Sequence, residues 1–201
     1  MRKILLLALQ ISLGAQSVLF GQTDHPAVYE DPAAYEVYST ILSWPDASRM
    51  TKSKRLVIRR ETLRSQGAFI DGGPYLGGCL RPDAESAKLI GTAIDDHIRM
   101  NKTNWRLLKK FKLQIPYQFM KPPTAIFNNE DWDKFYRAYR DSAGFVYLSA
   151  VGFNADKTVA VVSIGHWCGG LCGEGQYHVL QKKDGRWIPL EWKGDRCSWE
   201  S

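Results

Sequence analysis

The chain has 201 residues, 44% of them hydrophobic and 24% charged, with seven tryptophans and a formal net charge of +6. That apolar content excludes a largely disordered chain, and the length suits one compact domain. The basic excess is modest and uneven: from Arg99 to Lys121 there are seven basic residues and no acidic one.

At the start of the chain, Arg2 and Lys3 precede an apolar run, and small residues follow at Ala15, Ser17 and Gly21. This is the pattern of a secretory signal peptide over residues 1–21. Cleavage after Ser17 and cleavage after Gly21 both suit it. Polar Gln10, Ser12 and Gln16 interrupt the run, which argues against a permanent anchor, so no transmembrane segment is expected in the mature chain. Losing Arg2 and Lys3 with the leader takes the formal charge from +6 to +4. Residues 22–201 are then a single α+β domain in a bacterial periplasm or the exterior, where cysteines can pair.

After a short polar leader, "DPAAYEVYSTIL" predicts a helix. Asp31 is its cap, Pro32 suits the first helical position, and Ala34, Val37, Tyr38 and Ile41 share one face. "RLVIRRET" predicts a strand, and "FIDGGPYLGGCLRP" a loop rich in glycine. "DAESAKLIGTAIDDHIRMN" predicts a second helix on the recurrence of Ile90, Ile94 and Ile98 beside Ala87. "NWRLLKK" is expected to extend helical structure, "FKLQI" to alternate as a half-buried strand, and "PYQFMKPPT" to be irregular because of its prolines. "NEDWDKFYRAY" predicts a third helix with Trp132, Phe135, Tyr136 and Tyr139 as its apolar stripe and Asn129 as a cap.

The last third changes period. "GFVYLSAVGF" reads as a strand, "NADK" as a turn, and "TVAVVSI" as a strand covered on both faces. "QYHVLQKK" and "RWIPLEW" flank Asp184-Gly185, a strong hairpin signal, and Pro189 marks an edge strand. The expected fold is α+β: N-terminal helices packed on an antiparallel sheet that ends in a C-terminal β-meander.

"SIGHWCGGLCGEGQYHVL", Ser163 to Leu180, concentrates the residues that carry chemistry. His166, Cys168, Cys172 and His178 match the number and type of ligands zinc takes. Tyr177 and Val179 face the core in a strand pattern, which turns His178 and Gln176 the other way. A thiol active site would need a spatial His–Cys pair, and the Cys-x3-Cys spacing departs from the redox motif. The reading favoured by export is sulfur as a brace. Cys79, Cys168, Cys172 and Cys197 are the disulfide candidates, their pairing open, and they would restrain a glycine-rich loop surface at Gly169, Gly170, Gly173, Glu174 and Gly175.

The stretch from "DWDKFYRAY" to "KKDGRWIP" resembles a family of small, uncharacterised exported bacterial proteins. The likeness rests on "SAVGFN", then an apolar strand, then "CGGLCGEGQY" and "KKDGRW". It covers about the last third of the chain, and it implies an exported domain without assigning chemistry to any residue.

Elsewhere the signals for catalysis are thin. Asp95 and Asp96, like Asp131 and Asp133, are badly phased for a carboxylate pair, and Glu174 is a lone acid. "GGLCGEG" lacks the lysine and hydroxyl residue of a phosphate loop, and no cofactor is indicated. The Arg99–Lys121 stretch is a candidate surface for an anionic envelope component, with Trp105 and Phe111 turned inward; export disfavours nucleic acid as its partner. The expectation is a non-enzymatic exported domain held by disulfides, an envelope-associated interaction module. The alternative is a small hydrolase or zinc protein built on His166, Cys168 and Cys172.

Overall fold

The computed structural model describes residues 26–44, 54–63, 80–121, 129–195 and 198–200. The leader, the "FIDGGPYLGGC" loop and Cys79 and Cys197 lie outside the described residues.

Helix α1 spans Pro32–Ile41, with Pro32 opening it and the Asp31 carboxylate accepting from the Ala33 amide. Its buried residues are Ala34, Tyr35, Val37, Tyr38 and Ile41, one continuous stripe at helical spacing. Helix α2 spans Ala84–Met100, capped by Asp83 on the Ser86 amide at 2.8 Å. Its most deeply buried line is Ile90, Ala93 and His97, while Ile94 and Ile98 sit half-buried beside it. Helix α3 spans Asn129–Ala138 and buries Trp132 and Phe135.

The main sheet holds β2 (Leu56–Ile58), β5 (Tyr117–Phe119), β6 (Phe145–Leu148), β7 (Gly152–Phe153), β8 (Val159–Gly169), β9 (Cys172–Lys183), β10 (Arg186–Pro189) and β12 (Ser198–Glu200). Its path is β10-β9-β8-β6-β2-β5, with β12 also on β9 and β7 also on β8. β8, β9 and β10 form the meander. Asp184 and Gly185, both at positive φ, make its second turn. The sheet is mixed, because β2 runs parallel to both β5 and β6. β5 and β6 therefore need a long crossover, and α3 supplies it. Four short strands lie off this sheet, in two pairs. β1 (Ala27–Val28) pairs with β4 (Trp105–Arg106), and β3 (Arg81–Pro82) pairs with β11 (Gly194–Asp195).

The sheet is covered on both faces. On one, α1 packs on Val146, Leu148, Ala160, Val162 and Leu180. On the other, α2 covers Val159, Val161 and Val179, and α3 covers Phe145 and Tyr147. α2 lies directly on β7: at Gly152 a Cβ would meet the backbone of His97 and Ala93. Where β6 ends and the backbone turns irregular, tyrosines satisfy it. Tyr38 Oη donates to the Ser149 carbonyl at 2.7 Å, and Tyr29 Oη accepts from the Val151 amide at 3.0 Å. Both are buried, so these bonds replace water where the strand ladder stops.

Between α2 and α3 the structure corrects three expectations. "NWRLLKK" contributes strand β4 and irregular chain, with no helix, and "FKLQI" is irregular. The strand lies one step later, at Tyr117–Phe119, inside the segment whose prolines argued for coil. Pro116 precedes the strand, where its carbonyl accepts from the Leu56 amide and its missing donor costs nothing. Phe111 is drawn inward by a ring cluster with Tyr35, Tyr38, Tyr117 and Phe119. Trp105 also packs inward, its Nε1 donating to the Met100 carbonyl.

Candidate functional site

The hairpin of β8 and β9 carries the site. Strand pairing continues through most of the segment expected to be a glycine loop. Gly173, Glu174 and Gly175 belong to β9, Gly169 ends β8, and only Gly170 and Leu171 turn the chain. The reason lies on the α3 face. Gly165 and Gly175 are cross-strand partners, with Tyr147 beside one and Trp199 beside the other. The Tyr147 ring lies over Gly165 and the Trp199 indole over Gly175, at positions a Cβ would occupy, and the two rings stack at 12°. These glycines form a trough for two aromatics and give no loop flexibility.

A bulge sets what faces what. From Val159↔Gln181 to Trp167↔Gly173 the pairing keeps one register, and Gly169↔Cys172 is shifted by one. Cys168 is the extra residue. Were Cys168 paired in regular register from the turn at Gly170-Leu171, His166 would fall opposite Gly175, on the face of Tyr177 and Val179. With Cys168 bulged out, His166 pairs with Glu174 and joins the face of Gln176 and His178. β12 adds Glu200 opposite Glu174 and Ser198 opposite Gln176.

The result is a row, His166–Glu174–Glu200, running across three strands beyond the end of α1. A second row, Ile164–Gln176–Ser198, lies beside it. They floor a cleft of about 410 Å³ whose rim includes Ile41, Trp44 and Pro189. A second cleft of about 620 Å³ adjoins it, and His166, Glu174 and Glu200 line both. Its far wall is the hairpin tip, with Cys168, Leu171 and Cys172, and Tyr136 beside them. No lysine or arginine lines either cleft among the described residues.

His166 is 6% exposed, and its Nε2 donates to the Ala143 carbonyl at 2.7 Å. That bond leaves Nδ1 as the acceptor nitrogen. Burial holds its pKa below the ordinary histidine value, opposed by the Ala143 bond and the Glu174 charge. His178 packs its ring edge-on against Trp44, and burial pushes its pKa down to about 4. Both imidazoles are neutral at pH 7, so the charge along the floor comes from carboxylates.

The four residues proposed as zinc ligands do not converge. Cys168 and Cys172 are bonded to each other, which removes the thiolates that zinc or a nucleophilic mechanism needs. His178 pairs with Val162, four residues along β8 from His166, a separation of roughly 13 Å at strand rise. Among the described residues no three His, Cys, Asp or Glu side chains are grouped to hold a metal ion. The alternation argument placed Gln176 and His178 correctly. The parts it missed are His166 joining their face, which depends on the bulge, and Glu200, Ser198 and Trp44, which arrive from distant segments.

The tip disulfide spans a Cα–Cα distance of 5.1 Å. Tyr136 Oη donates to the Cys168 carbonyl at 2.8 Å, so the bulge is tied to α3 as well as to Cys172. No helix among the described residues is long and apolar enough to cross a membrane. No protein-family model matches the chain, and no curated protein and no solved structure matches it significantly.

Proposed function

We propose that this is an exported bacterial binding domain whose ligand site is the cleft floored by His166, Glu174 and Glu200. The observation that carries this reading is the row itself. A folded sheet face is usually covered or scattered with unrelated polar residues, whereas here three polar side chains on three strands share one concave floor beside an aromatic rim. Carboxylates only accept hydrogen bonds, and Gln176 and Ser198 both accept and donate. A ligand rich in donors fits this floor, and the envelope setting favours a polyhydroxylated glycan. Trp44 offers an apolar surface to sugar C–H groups. The leader pattern at residues 1–21 and the likeness of the last third to exported proteins support the location.

Binding is favoured over hydrolysis by the state of the groups. His166 Nε2 is committed to the Ala143 carbonyl, and the nearby sulfurs are bonded to each other. The exposed lysines of the Arg99–Lys121 stretch lie on another part of the surface. They are proposed as a separate, salt-sensitive contact with anionic envelope polymers.

Isothermal titration and amide NMR with neutral envelope oligosaccharides, an amino-sugar oligomer and a simple alkylammonium separate hydroxyl from ammonium recognition. The reading predicts shifts at Gln176, Glu174 and Ser198 with the oligosaccharide. Glu200→Gln is expected to weaken binding about 10-fold, the effect of losing roughly one charged hydrogen bond. Absence of any shift at the cleft with every probe would refute it, and cleavage of the oligosaccharide would replace it with a hydrolase.

A further inference from the structure

We propose that Cys168–Cys172 is an exchangeable disulfide that reacts with a protein dithiol docked in the 620 Å³ cleft. The inference is independent of the ligand reading above.

Three observations carry it. The first is that the fold does not hang on this bond. It joins residues that already face each other across a turn, separated by four in sequence. The ladder from Val159 to Trp167 is set by apolar alternation on both faces, so opening the bond frees only the tip. The second is access. Cys172 is exposed and Cys168 half-buried, which presents one sulfur to attack and keeps the other against the protein. The third is that the bond stands in a seat. The disulfide forms a wall of the cleft, beside Tyr136, Ser142 and His166, and Leu171 at the tip is 93% exposed. A bare structural staple needs neither a concave surface beside its sulfur nor an unburied leucine at its crest.

The chemistry balances as an ordinary exchange. A thiolate of the partner dithiol attacks Cys172 Sγ, forming a new sulfur–sulfur bond and breaking the bond to Cys168. Cys168 leaves as a thiolate and takes a proton from water. The partner's second thiolate then attacks the partner sulfur of the mixed disulfide, and Cys172 leaves and is protonated in turn. Two electrons and two protons have passed to the hairpin tip, and the partner is left oxidised. The reverse sequence recloses the bond. Cys168 stays in place during the open phase, because Tyr136 holds its carbonyl.

The test compares two reductants on native full-length protein. One is a thioredoxin-like protein dithiol and the other is dithiothreitol, with thiols trapped by alkylation and the tip peptide read by mass. Circular dichroism is followed throughout. A synthetic peptide with the sequence of residues 166–174, oxidised between its two cysteines, is the control. The expected result is opening at a rate proportional to thiol, with unchanged circular dichroism. The preference for the protein dithiol over dithiothreitol should be at least 10-fold greater in the folded chain than in the peptide. Equal preference would reduce the bond to a merely exposed staple. Labelling only at the rate of global unfolding would also overturn the proposal. As a second arm the partner is supplied in its oxidised form: Cys168→Ser leaves Cys172 as the tip thiol, whose thiolate attacks the partner's disulfide and expels one partner thiolate, and this should give the mixed disulfide faster than Cys172→Ser does. The opposite order would remove the assigned point of attack.

Discussion

Helix α2 buries an imidazole that nothing at pH 7 requires to be charged. His97 is fully buried, and its Nδ1 donates to the Val161 carbonyl at 3.2 Å. Its Nε2 has no hydrogen-bond partner. Asn101 cannot supply one, because its amide hydrogens go to the His97 and Ala150 carbonyls. Burial pushes the His97 pKa down from 6.5 to about 4. Above pH 6.5 neither the folded nor the unfolded chain holds the proton, and the stability contribution is flat. Between 6.5 and about 4 the unfolded chain is protonated and the folded chain is not. Each pH unit of acidification in that window then favours unfolding by about 1.4 kcal/mol, and the full window amounts to about 3 kcal/mol. Below about pH 4 both states hold the proton and the loss stops growing. Urea unfolding at pH 7, 6, 5 and 4.5 measures the slope for the native chain and for His97→Asn, which retains a donor at the Nδ1 position. The variant should be less stable at pH 7 yet show a shallower slope below pH 6.5. His178 continues to titrate in both, so the difference isolates His97. A folded-state NMR titration of the His97 ring with a midpoint near 6.5, or equal slopes in the two proteins, would refute the reasoning.

Tyr38→Phe removes the donor to the Ser149 carbonyl in a fully buried site, and denaturant unfolding should show a loss of about 1–3 kcal/mol with the fold retained. Gly175→Ala drives a methyl group into the Trp199 indole. A cost of about 1–3 kcal/mol is expected, with a change in the near-ultraviolet circular dichroism of the Tyr147–Trp199 stack. With Cys168 and Cys172 bonded to each other, Cys79 and Cys197 are left to pair with one another in an oxidising compartment. Non-reducing peptide mapping is therefore expected to recover a Cys79–Cys197 cross-link, and free thiols at either position would contradict it.

What could be read from the residues alone was whatever their neighbours decide. Asp31-Pro32, the stripe of α1 and the Asp184-Gly185 turn are local signals, and each appears where its chemistry places it. β5 is different. Tyr117–Phe119 becomes a strand by pairing in parallel with Leu56–Ile58, some sixty residues away, and no local pattern announces that partner. "FKLQI" alternates as a strand should, yet Phe111 is held by rings from α1 and β5 and the backbone stays irregular. At the site, strand alternation alone gave Gln176 and His178 a common face. His166 joined them because Cys168 is left out of the pairing, and one residue bulged out of register reverses which side every earlier residue takes relative to strict alternation. The glycines misled for a related reason. Freedom of backbone and room for a neighbour's ring look the same in a sequence, and at Gly165 and Gly175 the second applies.

The cleft draws Trp44 from the end of the first helix, His166 from the middle of a long hairpin and Glu200 from the last strand described. During synthesis, Glu200 emerges after all the other described elements. No nascent intermediate therefore presents a complete floor. A nascent chain gains the proposed binding floor only once its last described strand has paired with β9.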